Sequence, residues 1–499
     1  MEDNIIIVDT SMIEAPKPGN TLYETRRNFA DSYKVFNNQI AISIIAYNRL
    51  EKTKKCIEYL FKYTSHIDFE LILCDNGSTD GTFEFFKSID YPKKKIVRIT
   101  KNLGAFFAAN LIIDMAKCKY YVAMTNDAYV TENWLDNLLK CIESDDRIAY
   151  VSPMSSNMSN NQDPGLKFGS LEEMEIVASQ FNKSDPRKWM ERKRIVGVLA
   201  CYRKDALDQI GKYDPGFFHE FSDDDFAFRV TRAGYKLVLC GDTFIHHDHA
   251  VFNMEDKDPE TTKQSLRNGR KNFKDKYYGI DSWEDLLNFE TPLINMASYE
   301  NSNGENNVLG IDTKCGIPIL EIKNKLRFNG ADNIKLYAFT TKAKYYNDLL
   351  HTCEGNVNCD RIEFLNEYYV KDSFDYIILG EALNSYKEPF KLLENIIDLL
   401  QPSGQALIKL KNTLEIRTLL SLYGHKQNFF EELLIHLSID DVIAFLNQKN
   451  ISDVKLSGIT YNVDNSINTF VNNTASSVGI SPNSLGHLYI NEYLIYIKK

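Results

Sequence analysis

Residues 69–82 read FELILCDNGSTDGT, and this stretch decides the fold. Its first seven residues are mostly apolar and end at Asp75, which predicts a strand buried on both faces. The turn residues from Asn76 to Thr82 then lead into FEFFKSI, where Ser and Thr side chains precede a predicted helix. A strand that passes through a polar turn into a helix is the basic unit of an α/β fold.

The same unit repeats on both sides of this stretch. Upstream, the β-branched run from Ile40 to Ala46 predicts a strand, and the amphipathic sequence LEKTKKCIEYLFKYT after Arg49 predicts a helix. Downstream, KIVRIT, AFFAANLIIDMAKC and YYVAMTND continue the alternation. Strands that alternate with helices predict a parallel sheet with helices packed on its faces.

The chain of 499 residues is too long for one ordinary core, so we expect two domains. The sequence SYENSNGENN has almost no apolar content and predicts a linker, after which a second strand–helix alternation begins. The predicted organisation is a leader at 1–38, an α/β domain at 39–297, a linker at 298–307, a second α/β domain at 308–428 and a helical and strand extension at 429–499.

The composition of the chain indicates which partners and which cellular compartment to expect. The net charge of −11 argues against general affinity for nucleic acid, so no nucleic-acid partner is expected. Nine cysteines without a C-x-x-C pair indicate reduced thiols. The N-terminal residues do not resemble a secretory signal, and no apolar run is long enough for a transmembrane segment. A cytoplasmic protein is therefore predicted.

Candidate ligand-binding residues follow the first two predicted strands. In open α/β sheets, ligands bind beyond the carboxyl ends of the strands, where a carboxylate such as Asp75 can reach a base edge or a ribose hydroxyl. A turn that only caps its helix is the alternative explanation. The candidates at these two strand ends are Ala46, Tyr47, Asn48, Arg49, Asp75 and Asn76.

Residues 40–279 resemble a family 2 glycosyltransferase of the GT-A fold. A strand ending in Tyr47-Asn48 and the sequence DNGSTDGT at 75–82 match the family's pattern, and Asn102-Leu103-Gly104 and Asn110 match later positions in the same order. The resemblance implies a Rossmann-like nucleotide-diphospho-sugar transferase fold. It also implies that Asn102 and Gly104 contribute to the donor site.

The resemblance extends to two candidate metal-binding segments. Thr125-Asn126-Asp127 resembles the family's D-x-D element with only the last acid retained. This implies that Asp127 binds Mg²⁺ or Mn²⁺ and that Asn126 lies beside the donor. In IHHDH, His246 best matches the family's late histidine, and His247 follows it closely. A helix-capping role for Asp127 and a zinc site at the histidines are the alternatives.

The acid segment FSDDDFAFR resembles the family's E-D-x-D-x-x-x-R pattern, with Ser222 in place of the usual Glu. Counting back from Arg229 places Asp223 at the catalytic position, and Asp224 is the alternative. Adjacent carboxylates repel one another, so one of them should have a raised pKa, which suits a general base. The strand that begins at Gly197 resembles the one that shapes the family's sugar pocket.

The resemblance implies an inverting, metal-dependent hexosyl- or N-acetylhexosaminyltransferase with a nucleotide-sugar donor. Uridine is the expected base, with thymidine next. The composition, rich in Lys, Asn and Ile, is typical of a bacterium. The implied acceptor is a hydroxyl of a surface protein such as flagellin or of a cell-surface glycan.

The second half, from Phe374, resembles the latter part of a class I methyltransferase, with Asp375 and the turn at 402–404 as matches. Where that family has three spaced glycines, VLGIDTKCGIP has only Gly310 and Gly316, so S-adenosylmethionine is not an expected cofactor. We predict a degenerate domain for acceptor docking or assembly. The alternatives are a bifunctional glycosyltransferase and methyltransferase, or a non-catalytic adaptor.

Overall fold

The computed structural model describes residues 4–13, 38–217, 221–248, 259–300, 304–423, 435–477, 479 and 481–499. The chain divides into two compact units, residues 1–287 and 288–499. Each unit is built on one mixed sheet with helices, so the α/β class predicted for both halves is confirmed.

The described strands of the first unit are β1 (Ile5–Val8), β2 (Asn38–Ala46), β3 (Glu70–Asn76), β4 (Lys94–Ile99), β5 (Cys118–Thr125), β6 (Ala128–Tyr129), β7 (Ile148–Ser155), β8 (Trp189–Arg192), β9 (Leu199–Arg203) and β10 (Lys236–His247). Its helices are α1 (Leu50–Thr64), α2 (Thr82–Ser88), α3 (Ala105–Met115), α4 (Trp134–Glu143), α5 (Leu171–Phe181), α6 (Lys204–Ile210), α7 (Ser222–Arg232), α8 (Pro259–Lys276) and α9 (Ser282–Leu286).

The strand order of the first sheet is β1-β4-β3-β2-β5-β9-β7-β10-β6, with β8 paired to β10. The strands from β1 to β5 are parallel, as the sequence predicts, and β9 reverses the direction. All seven residues of β3 are buried because helices cover both faces of the sheet. Leu71 and Leu73 pack into the core on one face, and Ile72 and Cys74 pack on the other.

One strand of this sheet lies in the segment predicted as a leader. β1 pairs with β4 in parallel, with Ile5 opposite Ile96. A run of four apolar residues is sufficient to add an edge strand, because the pairing satisfies its backbone groups on one side. Most of the predicted leader, residues 14–37, lies outside the described residues.

The described strands of the second unit are β11 (Asn306–Ile311), β12 (Ile334–Thr340), β13 (Val357–Cys359), β14 (Phe374–Ala382), β15 (Leu400–Lys411), β16 (Asp453–Thr460) and β17 (Ile490–Lys498). Its helices are α10 (Thr291–Ile294), α11 (Ile317–Phe328), α12 (Tyr346–Thr352), α13 (Leu365–Tyr368), α14 (Pro389–Leu399), α15 (Ile416–Tyr423), α16 (Ile439–Gln448) and α17 (Asn465–Ser477).

The second sheet has the strand order β13-β12-β11-β14-β15-β17-β16. Its first five strands are parallel and follow the doubly wound order of nucleotide-binding folds, while β17 runs antiparallel to β15 and β16. The unit is thus a methyltransferase-like α/β fold. The predicted extension contributes β16 and β17 to this sheet.

The division between the units falls before the segment predicted as a linker. Residues 288–300 belong to the second unit because they bond to its sheet: Lys409 Nζ lies 2.6 Å from Glu290 Oε1, and Ser298 N donates to Gln405 Oε1 at 2.8 Å. Residues 301–303 lie outside the part of the chain that the structure describes.

Candidate active site

Three neighbouring strands end at one edge of the first sheet. Ala46 on β2 is in register with Asp75 on β3, and Ile45 is in register with Thr125, the last residue of β5. The residues that follow these strands therefore meet at the edge where open α/β sheets bind ligands.

The loops after β2 and β3 are joined by hydrogen bonds. Asn48 N donates to Ser78 Oγ at 2.8 Å, and Thr79 N donates to Asn48 Oδ1 at 2.9 Å. Asp80 accepts from Thr82 N at the start of α2 and also from Leu50 N at the start of α1, at 3.1 and 2.8 Å. The turn predicted to cap its own helix thus caps two helices.

These bonds hold the loop after β2 in an uncommon backbone conformation. Asn48 and Arg49 have φ values of 54° and 65°, in the left-handed region that non-glycine residues rarely adopt. Asn126 supports the same loop, since its Nδ2 donates to Asn48 O at 3.1 Å. Such conformations persist only where the surroundings determine them, and they are common at ligand sites.

Asp75 and Asn76, at the end of β3, form hydrogen bonds and an ion pair at this edge. Asp75 is fully buried, forms an ion pair with Arg98 and accepts from Ser78 N at 2.9 Å. Asn76 Nδ2 donates to Asn102 Oδ1 at 2.9 Å, and Asn102 Oδ1 also accepts from Gly104 N at 2.8 Å. The structure therefore brings together the predicted residues of three separate segments.

Asp127 is surrounded by groups that stabilise its charged form. Thr125 Oγ1 donates to its Oδ1 at 2.7 Å, Arg49 Nη1 lies 3.2 Å from its Oδ2, and His247 Nε2 lies 3.5 Å from its Oδ1. Burial alone would raise the pKa of Asp127, but His247, Thr125 and Arg49 together lower it to about 2. Asp127 is thus a carboxylate throughout the physiological pH range.

The two candidate histidines point in different directions because successive strand residues alternate between faces. β10 pairs with β6 so that His247 is opposite Ala128 and lies beside Asp127. His246 Nδ1 instead lies 2.7 Å from Ser156 Oγ, and its ring packs against Tyr129. The geometry favours His247, rather than His246, as the partner of Asp127.

The three acids at the start of α7 have different environments. Arg194 donates to both oxygens of Asp224, with Nη2 3.2 Å from Oδ2, and Ser282 Oγ donates to Oδ1. Asp225 pairs with Arg229 and Lys276. Burial would raise the pKa of Asp225, but these two cations lower it.

Asp223 is the acid with a raised proton affinity. Burial, and after it the charge of Asp224, raise its pKa to about 7. Its Oδ2 accepts from Gly197 N at 3.3 Å, and a Cβ at Gly197 would lie 3.6 Å from its Oδ1 and only 3.2 Å from Tyr150 Oη. A larger residue at Gly197 would therefore press against the Tyr150 hydroxyl beside the carboxylate.

The neighbourhoods of Asp127 and Asp223 are connected through β5. Thr125, which bonds to Asp127, donates its N–H to Val198 O at 3.1 Å, and Val198 follows the residue that bonds to Asp223. A carboxylate with a lowered pKa and one with a raised pKa therefore lie in one continuous network. Such pairs are typical of active sites in which one acid stabilises charge and the other transfers a proton.

Sequence patterns did not single out Arg194 and Ser282. Their partner Asp224 lies 30 and 58 residues away, respectively, so no local spacing indicates the contacts. Lys276, which pairs with Asp225 across 51 residues, is a further example. Such residues can be found only once the fold brings distant segments together.

Two features are absent from the described part of the chain. Within it, no helix has the length and apolarity needed to cross a membrane. Among the same residues, no three or more His, Cys, Asp or Glu side chains form a group suited to a metal ion.

The corresponding edge of the second sheet is occupied by its own side chains. Asp312, which follows β11, is buried and accepts from Thr341 N at 2.7 Å and from Tyr386 Oη at 2.9 Å. A Cβ at Gly310 would overlap Ile319, and one at Gly380 would overlap the backbone of Asp312. These two glycines thus permit close internal packing.

These features define an α/β domain with polar and charged side chains gathered at one sheet edge, followed by a second doubly wound domain. The family model for Glycosyl transferase family 2 matches residues 41–211. Residues 41–211 are therefore a family 2 glycosyltransferase domain, which confirms the resemblance. The match contains Asp75 and Asp127 and ends before α7.

Similar proteins include glycosyltransferase AglE of Haloferax volcanii, which is 21% identical over 235 residues, or 46% of this chain and 72% of AglE. A crystal structure of GalNAc-T7 with UDP, GalNAc and Mn²⁺ aligns with a TM-score of 0.39 and 14% identity, over 53% of this chain and 52% of that chain. A SAM-dependent methyltransferase from Archaeoglobus fulgidus aligns with a TM-score of 0.30 and 18% identity, over 46% of this chain and 98% of that chain. The protein is a glycosyltransferase by its family 2 domain.

Proposed function

We propose that the first unit catalyses the inverting transfer of a sugar from a nucleoside-diphosphate donor, with uridine as the expected base, to an acceptor hydroxyl. The observation that carries this proposal is the hydrogen-bonded network that links Asp127 to Asp223 through Thr125, Val198 and Gly197. The pKa shifts of the two acids are opposite and agree with it: the pKa of Asp127 is lowered to about 2 and that of Asp223 is raised to about 7. Opposite shifts in one network suit a charge-stabilising group and a base.

In this proposal Asp223 accepts the proton of the acceptor hydroxyl. The acceptor oxygen then forms a bond to the anomeric carbon, and the bond from that carbon to the phosphate oxygen breaks with its electron pair on the leaving diphosphate. Because one base serves one direct displacement, the anomeric configuration is inverted. Asp224 and Asp225 are unsuited to this step, since both oxygens of each already contact cationic side chains.

The residues beside Asp127 fit a hard divalent cation. Asp127 offers a carboxylate with a low pKa, and His247 offers an imidazole; Mg²⁺ or Mn²⁺ accepts ligands of these types. Two protein ligands would leave coordination positions for phosphate oxygens. We propose these two residues as the metal ligands. A bound cation would neutralise charge on the diphosphate, and Arg49 supplies a second positive charge at the same place.

The test is donor hydrolysis by the full-length protein with a panel of nucleotide sugars and Mn²⁺. We expect nucleoside diphosphate release from one donor, loss of release in Asp127→Ala and Asp223→Asn, and loss on adding EDTA that Mn²⁺ reverses. The anomeric configuration of a transfer product, read by NMR, tests inversion. If no donor is bound or hydrolysed, the result would favour a non-catalytic adaptor over a glycosyltransferase.

We also propose the acceptor class and the compartment. The acceptor is proposed to be a hydroxyl of a bacterial surface protein such as flagellin or of a cell-surface glycan. Transfer assays with purified flagellin and with oligosaccharides would separate the two. The cytoplasmic location is supported by nine free cysteines, eight of them buried, and cell fractionation tests it.

We propose that the second unit serves docking or assembly rather than methylation. The contacts at its strand edge support this, because Asp312 bonds to Thr341 and Tyr386, and Gly310 and Gly380 are closely packed. Calorimetric titration of the protein with S-adenosylmethionine should show no heat of binding. Saturable binding would instead support a bifunctional enzyme.

A further inference from the structure

A second helix, α9, contacts the start of the helix that carries the acids. Ser282 Oγ donates to Asp224 Oδ1, and the adjacent Trp283 stacks on Phe221 with ring centroids 5.5 Å apart. Phe221 precedes α7 and has a φ of 66°, in the left-handed region. Two consecutive residues of α9 thus contact both the strained residue and the middle acid.

α9 is itself firmly anchored. Asp281 is buried and accepts from Trp283 N at 3.0 Å and from Glu284 N at 3.3 Å. Arg270 Nε donates to Asp281 at 3.0 Å, and the Arg270 guanidinium lies 5.0 Å from the centroid of the Trp283 ring. A charge-assisted bond to a helix cap gives α9 a defined position.

We propose that Ser282 is a positioning residue for the catalytic acid: together with Arg194, it holds the Asp224 carboxylate next to Asp223, so that Asp223 remains the group that takes the acceptor proton. This inference rests on the proposed function. Neither the resemblance nor the family match assigns a role to Ser282.

The hydrogen bonds of Asp224 support different roles for Asp224 and Asp223. Both its oxygens accept from Arg194, and Oδ1 also accepts from Ser282. Asp224 is 4% exposed, so its charge acts on its neighbour rather than on solvent. Both oxygens of Asp224 are therefore already engaged by donors from other segments of the chain.

Among the residues that the structure describes, a small set of groups acts on Asp223. They are Asp224 on its own helix, Arg194, the N–H of Gly197, and the buried phenols of Tyr150, Tyr202 and Tyr213. If Ser282 is lost, Asp224 can turn away from Asp223. The repulsion that favours protonation of Asp223 would then weaken, and its pKa would fall.

The experiment compares the pH dependence of nucleoside diphosphate release in the wild type, Ser282→Ala and Ser282→Thr. We expect Ser282→Ala to lower kcat severalfold, to leave the donor KM unchanged, and to move the acidic limb of the kcat profile down by about half a pH unit or more. Ser282→Thr keeps the hydroxyl and should restore the wild-type profile. Ser88→Ala, which removes an exposed hydroxyl on α2, is the matched control.

A Ser282→Ala profile that overlays the wild type would overturn the proposal. Lower activity with an unmoved acidic limb, or with a loss of thermal stability that Ser282→Thr does not restore, would show a structural role instead. If the wild type itself releases no diphosphate from any donor, the proposed function fails, which is distinguishable from a failure of the role of Ser282.

Discussion

Arg49 and Asp127 are 78 residues apart in the chain, yet they form an ion pair of 3.2 Å at the edge of the first sheet. The Asp127 side chain is 7% exposed, whereas the Arg49 side chain is 44% exposed. The anion is therefore held by the fold, while the cation reaches toward solvent. An arginine in this position can contact a phosphate without leaving a buried charge unpaired, because Thr125 and His247 remain beside Asp127.

We predict that Arg49→Ala weakens donor binding. The donor KM should rise about tenfold, because one charge-assisted contact to a phosphate is lost, and kcat should change less. The measurement is steady-state hydrolysis of the accepted nucleotide sugar. Arg147→Ala is a suitable control, since Arg147 forms an exposed pair with Asp145. An unchanged KM in Arg49→Ala would exclude Arg49 from the donor site.

We predict that the wild-type rate rises with pH through about pH 7. Asp223 must be deprotonated to accept the acceptor proton, and burial and Asp224 raise its pKa to about 7. Asp223→Asn should lower kcat by about 10²- to 10⁴-fold, which is typical for loss of a general base. The check is kcat measured from about pH 5 to about pH 9. A rate that is independent of pH in this range would exclude Asp223 as the base.

We predict that Asp223→Asn stabilises the first unit at alkaline pH. The ordinary pKa is 3.8 and the folded value is about 7, so between these values the unfolded state loses a proton that the folded state keeps. Wild-type stability from this group therefore falls as pH rises through that window, and the full penalty is present above about pH 7. The asparagine variant should gain more than about 1 kcal/mol at alkaline pH and nothing below about pH 4.

This stability prediction can be checked by urea unfolding at several pH values. Asp146→Asn is the control, because the Asp146 side chain is fully exposed. A gain that does not depend on pH would show that simple replacement of a buried charge, rather than the raised pKa, explains the effect.

We predict that Gly77→Ala damages the donor site. Gly77 has a φ of 85°, and a Cβ there would lie 2.8 Å from Asn102 N. The variant should lose about 1 to 3 kcal/mol of stability and raise the donor KM, because the loop must move away from Asn102. Gly165→Ala separates backbone strain from the steric clash with Asn102. Gly165 has a φ of 73°, but no atom lies within 4 Å of the added Cβ. Equal effects in both variants would attribute the damage to backbone strain alone.

Several parts of the fold and the site were predictable because their signals are local. The strand and turn at 69–82 predicted a βα unit, and β3 and α2 form it. The predicted donor residues after β2 and β3 do lie together, since parallel neighbouring strands end at one edge. The sequence pattern favours His246, whereas the structure places His247 beside Asp127, because a one-residue shift on a strand reverses the face that a side chain occupies.

The sequence by itself determined the two α/β domains, the order of the motifs along the chain and the family to which the first domain belongs. These features can be read from the sequence because strand periodicity, helix periodicity and turn residues depend on neighbouring positions in the chain. Only the tertiary structure decided how the surroundings of the three acids at the start of α7 differ. Asp223, Asp224 and Asp225 are alike in the chain, and they differ because Arg194, Ser282, Arg229 and Lys276 approach two of them and leave the third beside Gly197. The proton affinity of a carboxyl group depends on burial and on the charges around it, and those are set by contacts between distant segments.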